Sequence, residues 1–193
     1  MNILNFFFRL LLTFNATSLI LVVYAVKERF VLGCVFPKLD CLPDYVSYLI
    51  YFLIPIILTF LSLIVANGLD SDSIEFEKEE DKEKGVNSPI KEIEQANNAF
   101  LPSYLGYFFV ALSVPYCDTL VFVFGILFIF TFLSQTLYFN PLFLFFGYHF
   151  YYLTTDNNIR IFIITRKKLK DPSKLSFSKL KRINNFTFID KER

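Results

Sequence analysis

The chain contains uninterrupted apolar runs long enough to cross a bilayer, and no other feature constrains its fold as strongly. Residues 10–26 (LLLTFNATSLILVVYAV) and 45–66 (YVSYLIYFLIPIILTFLSLIVA) carry no acidic or basic side chain. At a rise of ~1.5 Å per residue, the second run covers a hydrocarbon core of roughly 30 Å. The first does so once Phe6, Phe7 and Phe8, beyond Arg9, are counted. A cleaved signal peptide competes for the first run, because Val23-Tyr24-Ala25 loosely fits a small-residue cleavage site. The n-region holds one basic residue, Arg9, lying unusually deep, which argues for a retained span. Pro55 is tolerated in a membrane helix when neighbouring groups take up the carbonyl it frees. Asn67-Gly68 is a helix stop, since both residues accept the left-handed conformation.

A third apolar stretch, 100–153, is broken only at Pro115-Tyr116-Cys117-Asp118 and at Asn140-Pro141. The expected fold is therefore an all-α membrane protein with four transmembrane helices, at about 6–26, 45–66, 100–117 and 119–139, with five spans also compatible. The apolar remainder of the stretch lies along the interface or re-enters it. Residues 1–153 form the transmembrane domain and residues 154–193 a basic tail.

Between the second and third runs the composition inverts. Residues 67–99 hold ten acidic side chains against four lysines, and a run so charged cannot bury a core, which predicts a disordered loop from 70 to about 94. Within it, SPIKEIEQANN offers Ser88 as N-cap, Pro89 at the first helical position, and Ile90 and Ile93 on one face, a short amphipathic helix. After Gly147, HFYYLTT and IRIFIIT flank DNN and predict a β-hairpin. A last short helix starts at Asp171-Pro172, with Leu175, Leu180 and Ile183 on one side. The tail is thus a small hairpin/helix appendage.

Residues 156–193 hold eleven of the nineteen basic residues, which places the C-terminus in the cytoplasm. Four spans bring the N-terminus to the same side and the loop 27–44 outside, against the mild preference of Lys27 and Arg29. Five spans reverse these assignments.

Catalysis finds little support. Cys34 and Cys41 share the short 27–44 loop and are placed for an external disulfide or two free thiols. A relay enzyme needs a second pair, and only Cys117 remains. His149 is the only histidine, so no multi-histidine metal site is expected. No cofactor motif occurs. Arg9 and Asp118 are the ionisable groups of the spans and a candidate intramembrane polar pair. Asn15, Thr17 and Ser18 are candidates for bonds between helices.

Four stretches carry a resemblance: NNAFLPSYLGYFFVALS (97–113), GYHFYYL (147–153), ITRKKL (164–169) and RINNFTFIDKE (182–192). With the acidic loop after the second span, they resemble the KwaA family, membrane subunits of the Kiwa anti-phage defence system, over the whole chain. None is a catalytic motif, so no active-site residues carry over. The resemblance implies a multi-pass protein of the bacterial inner membrane that assembles with itself and with a soluble, DNA-binding effector of the KwaB type. It also implies a response to phage attachment or DNA entry, without turnover. A small oligomeric channel or pore-forming effector is the alternative.

Two uses of the tail follow. Arg166, Lys167, Lys168 and Lys170, just after the hairpin, are expected at lipid phosphates, about 1 kcal/mol each near an anionic surface. Lys179, Lys181, Arg182, Phe186 and Phe188 are expected to contact the cytosolic partner. Direct nucleic-acid binding is not expected, since the tail has no zinc ligands and no recognisable binding motif. A solvated, lipid-tethered tail, or one neutralised by the acidic loop, is the plainer reading of the same charge.

Overall fold

The computed structural model describes residues 3–35, 43–69, 71–72, 90–99, 101–134, 140–155, 158–172, 175, 177 and 180–191. The chain divides into two compact units, each assembled from separated segments. One comprises Arg9–Ser62 and Phe100–Leu142, the other Met1–Phe8, Leu63–Ala99 and Phe143–Arg193.

The first unit is helical. Helices α1 (Ile3–Thr17) and α2 (Leu19–Lys27) form one apolar rod interrupted at Ser18. Its hydroxyls turn back on the backbone: Thr13 donates to the Arg9 carbonyl (2.8 Å), Thr17 to that of Thr13 (3.0 Å) and Ser18 to that of Asn15 (2.8 Å). Such back-bonding satisfies hydroxyls where no water is available. A single turn, α3 (Leu32–Val35), precedes α4 (Asp44–Val65), which carries Pro55 inside it. Then come α5 (Leu101–Ser113) and α6 (Cys117–Ser134).

Contacts along the rod fix direction. Tyr104 donates to the Ala16 carbonyl (2.8 Å) and Lys27 to that of Val114, so α5 runs parallel to the rod. Phe14 meets Phe124 at 6.2 Å and Arg9 lies over Phe132 at 5.6 Å, so α6 runs antiparallel; Asn15 against Thr59 and, beyond the rod's end, the Leu32 N–H on the Ser47 hydroxyl (3.1 Å) make α4 antiparallel too. Ile20, Tyr24, Ala111, Val114 and Leu120 form the core between them.

Among the described residues, three helical stretches, Ile3–Lys27, Asp44–Gly68 and Cys117–Ser134, are long and apolar enough to span a membrane. The run expected as a span over 100–117 is the 13-residue α5, about 20 Å long at 1.5 Å per residue. Hydropathy continues unbroken past Pro115, where the helix does not.

The second unit overturns the all-α expectation. It is a six-stranded mixed sheet in the order β1-β5-β6-β4-β3-β2, far more than a tail. Strand β1 is Ser71–Asp72, β2 Ile90–Gln95, β3 His149–Thr155, β4 Arg160–Thr165, β5 Leu180–Arg182 and β6 Thr187–Asp190. Two of these strands were expected as helices, and the reason is physical. In β2 the pairing with β3 shifts between Ile90 and Glu92, and this bulge converts the strand's two-residue period into a spacing of three. Ile90 and Ile93 therefore share a face, as they would on a helix. Ser88 and Pro89, the expected cap, lie outside the described residues. Leu180 and Ile183 repeat the pattern, Leu180 in β5 and Ile183 just past its end, both buried.

β3 and β4 form the hairpin, and Asn158, with φ of 57°, takes the left-handed position in its turn that Asn tolerates. β6 enters parallel to β4 and antiparallel to β5, closing the centre of the sheet. One face packs Ile90, Tyr151, Leu153, Ile161, Ile163, Leu180 and Phe188 beneath Leu169, Leu175 and Phe177. On the other, Phe150 stacks on Phe162 (5.8 Å, 11°) and meets Phe143 edge-on at 6.2 Å. Phe143 belongs to α7 (Leu142–Phe145). Gly147, with φ of 74°, makes the left-handed turn from α7 into β3.

Candidate functional site

The strap that leaves β4 carries four of the basic residues of the C-terminal segment, Arg166, Lys167, Lys168 and Lys170. Thr165, buried at the end of β4, ends the strand: its hydroxyl accepts from the Lys167 N–H (3.0 Å) and donates to the Asp190 carboxylate (2.8 Å). The strap then turns over the sheet. Arg166 stacks over Tyr148 at 4.6 Å, while Lys167 points to Asp190 (3.8 Å) and to the Phe177 ring (5.6 Å). Lys168 and Lys170 are exposed. With Asp171, Leu169, Leu175 and Phe177, these lysines line a surface recess of about 400 Å³. Of the four residues expected at lipid phosphates, three thus point outward and Lys167 is held inward by a fully buried carboxylate.

The residues expected at a partner divide more sharply. Arg182 is exposed at the end of β5 and donates to Asn185 (2.7 Å) in the β5–β6 turn, and Phe186 on that turn is 58% exposed. The Asn184 carboxamide accepts from the Phe186 N–H (2.9 Å), an Asx turn that pins the ring's position. Phe188, one residue beyond Thr187, is buried in the core and unavailable to a partner. Lys181 is committed internally, donating to the Leu69 carbonyl. Lys179 lies outside the described residues. Asn185, within the stretch RINNFTFID (182–190) that carries the expected partner contact, joins the exposed patch.

A second lysine was illegible in the sequence. Lys191 donates to the carbonyl of Leu63, in the last turn of α4, and to Asn67 (2.7 Å). A cation at a helix C-terminus satisfies carbonyls that lack an intrahelical partner and opposes the negative end of the dipole. Burial, then the neighbouring Arg166 and Lys181 charges, hold its ammonium below the ordinary lysine range.

In the helical unit, Asn15, Thr59 and Asn140 are buried together. Asn15 and Thr59 lie 2.6 Å apart, and Asn140 donates to Thr59 (3.1 Å). Asn15 is thus an interhelical bonder as expected from its type, whereas Thr17 and Ser18 bond within their own rod. Arg9 and Asp118 are not brought together. Arg9 is buried against Phe132, fourteen residues along α6 from the exposed Asp118, which is about 21 Å at 1.5 Å per residue.

His149 opens β3 with its Nδ1 3.1 Å from the Asn97 amide nitrogen, while the Asn97 oxygen accepts from the Phe150 N–H (2.8 Å). Cys34 is on α3; Cys41, its expected companion, lies outside the described residues. Cys117 is exposed and free. Among the described residues no three His, Cys, Asp or Glu side chains are grouped to hold a metal.

No curated protein and no solved structure matches the chain. A family model described as anti-phage protein KwaA matches residues 8–189.

Proposed function

The chain belongs to the KwaA family of anti-phage proteins, and from that premise we propose that it is the membrane-embedded, non-catalytic sensor and scaffold of a defence complex. In this reading it recruits a soluble, DNA-binding effector to the inner membrane and responds to phage attachment or DNA entry. The observation that carries the reading is the β5–β6 turn. There an aromatic ring and a guanidinium, Phe186 and Arg182, stand exposed on a well-packed sheet. Arg and aromatic side chains are the residues most enriched where partners bind. The exposed Lys168 and Lys170 on the strap favour an acidic face on that partner.

The segment distribution supports both termini lying on the cytoplasmic side. Ile3–Phe8, Leu63–Leu69 and the strands of the sheet belong to one compact unit, as termini on one side require.

The test is capture of the effector from membranes of cells carrying the complete operon. Joint replacement Arg182→Glu and Phe186→Ser is expected to lower capture at least tenfold while membrane levels stay unchanged, since neither side chain is part of the core. Undiminished capture removes the turn from the interface. Ion flux through vesicles containing this chain alone would favour the pore reading instead.

A further inference from the structure

The buried cluster in the helical unit has a geometry that interhelical packing alone does not require. Oxygen and nitrogen of a carboxamide are told apart by their partners. In the orientation that matches donors to acceptors, Asn15 Nδ2 donates to the Pro55 carbonyl (3.1 Å). Its Oδ1 accepts from the Thr59 N–H (3.1 Å), the Thr59 hydroxyl (2.6 Å) and Asn140 Nδ2 (2.9 Å). Pro55 and Thr59 are four residues apart on α4, so their carbonyl and N–H are the acceptor and donor of a single step of the helical ladder. One side chain from the rod addresses both halves of that step. Pro55 also has no N–H to give the Tyr51 carbonyl, so α4 is already weakened one turn earlier. A side chain inserted into the ladder next to a proline is the usual cause of a localised bend in a helix.

We propose that Asn15 is a conformational latch. With its carboxamide at the Pro55–Thr59 step, that turn of α4 is held in one arrangement; with the carboxamide withdrawn, the Thr59 N–H and Pro55 carbonyl bond each other and the turn closes on itself. The exchange leaves no backbone group bare in either state, which is what lets two arrangements lie close in free energy inside a bilayer. Asn140 is the third arm, and its Oδ1 accepts from the Leu142 N–H (3.0 Å), at the start of α7. One turn beyond Thr59 on the same helix stands Leu63, whose carbonyl takes Lys191. The latch rests on the sensor reading and supplies its means of regulation: the latched state is the resting one, and release is the signal.

The test uses the complete operon in cells, with Asn15→Leu in the full chain. Losing the carboxamide is expected to raise the signalling population of uninfected cells about tenfold, the scale of one interhelical hydrogen bond. That appears as effector-dependent growth arrest without phage, at normal membrane levels of the protein. Thr59→Val removes only the hydroxyl among the Asn15 contacts and is expected to give a smaller rise of the same sign, and the double variant to do no more than Asn15→Leu. A merely destabilising change gives loss of defence, not activity without phage. If Asn15→Leu rests without phage and defends with it like the wild type, or is inert at normal membrane level, the latch is overturned while the sensor reading stands. Should Asn15→Leu not reach the membrane, Asn15→Ala, which also lacks the carboxamide, decides in its place. If defence by the wild-type operon does not require this chain, the sensor reading falls, and the latch with it.

Discussion

A chain ending at residue 170 is expected to lose the whole sheet unit, not only its basic surface. The missing segment contains β5 and β6, and β6 lies between β4 and β5 in the middle of the sheet. It takes with it Phe177, Leu180, Ile183, Phe188 and Ile189, all buried. At about 1.5–3 kcal/mol for each large apolar side chain, their loss is on the order of 10 kcal/mol, comparable to the entire stability of a typical domain. Thr165 would lose the Asp190 carboxylate, and the apolar strand β4 would become an open edge. Limited proteolysis of membranes is expected to show residues 143–170 digested while the spans stay protected. A protease-resistant fragment containing β3 and β4 would contradict the architecture. Loss of a partner on such a deletion therefore cannot locate an interface; the paired substitution at Arg182 and Phe186 can.

Phe150→Ala is expected to destabilise the sheet unit by about 3–5 kcal/mol. The ring is fully buried between Phe162 and Phe143, so its removal costs transfer free energy, leaves a cavity and deletes two aromatic contacts. Its backbone N–H also fixes Asn97, so local collapse into the void is resisted. Phe145→Ala is the matched control: that ring, on α7 a few residues earlier, is 69% exposed and its loss should change stability by less than about 0.5 kcal/mol. Pulse proteolysis in urea across both variants reads the difference directly. Equal midpoints would mean that the aromatic stack is not part of the core.

What could be read from the sequence follows from the range of each interaction. The three long apolar helices were legible because a bilayer-crossing length of apolar residues is written on consecutive positions. The end of α5 was not, because hydropathy continues where Pro115 interrupts the helix. The β3–β4 hairpin was legible since its partners are neighbours in the chain. β6 pairs with β4 in parallel, which no local pattern announces. β2 and the β5 turn were read as helices because bulge and turn geometry placed apolar residues three apart. At the candidate interface, Arg182 and Phe186 stood out by type and position. Phe188 has the same type and lies two residues away, but strand alternation and the packing above it put it in the core. Lys191 was hidden among eleven basic residues of its segment, since its acceptors lie 128 and 124 residues away.

The two margins of the sheet bear on how copies of this protein coexist. Molecules confined to a membrane meet at high effective concentration, and strands open at their margins pair readily with others of their kind. Head-to-tail pairing of that sort does not close, and it runs to filaments. Here one margin is the two-residue β1. The other, β2, carries exposed Lys91, Glu92 and Glu94, the last paired with Arg160. Both resist annealing. Edge-to-edge pairing of copies through the described strands is therefore disfavoured, and copies brought close together stay separate at these margins.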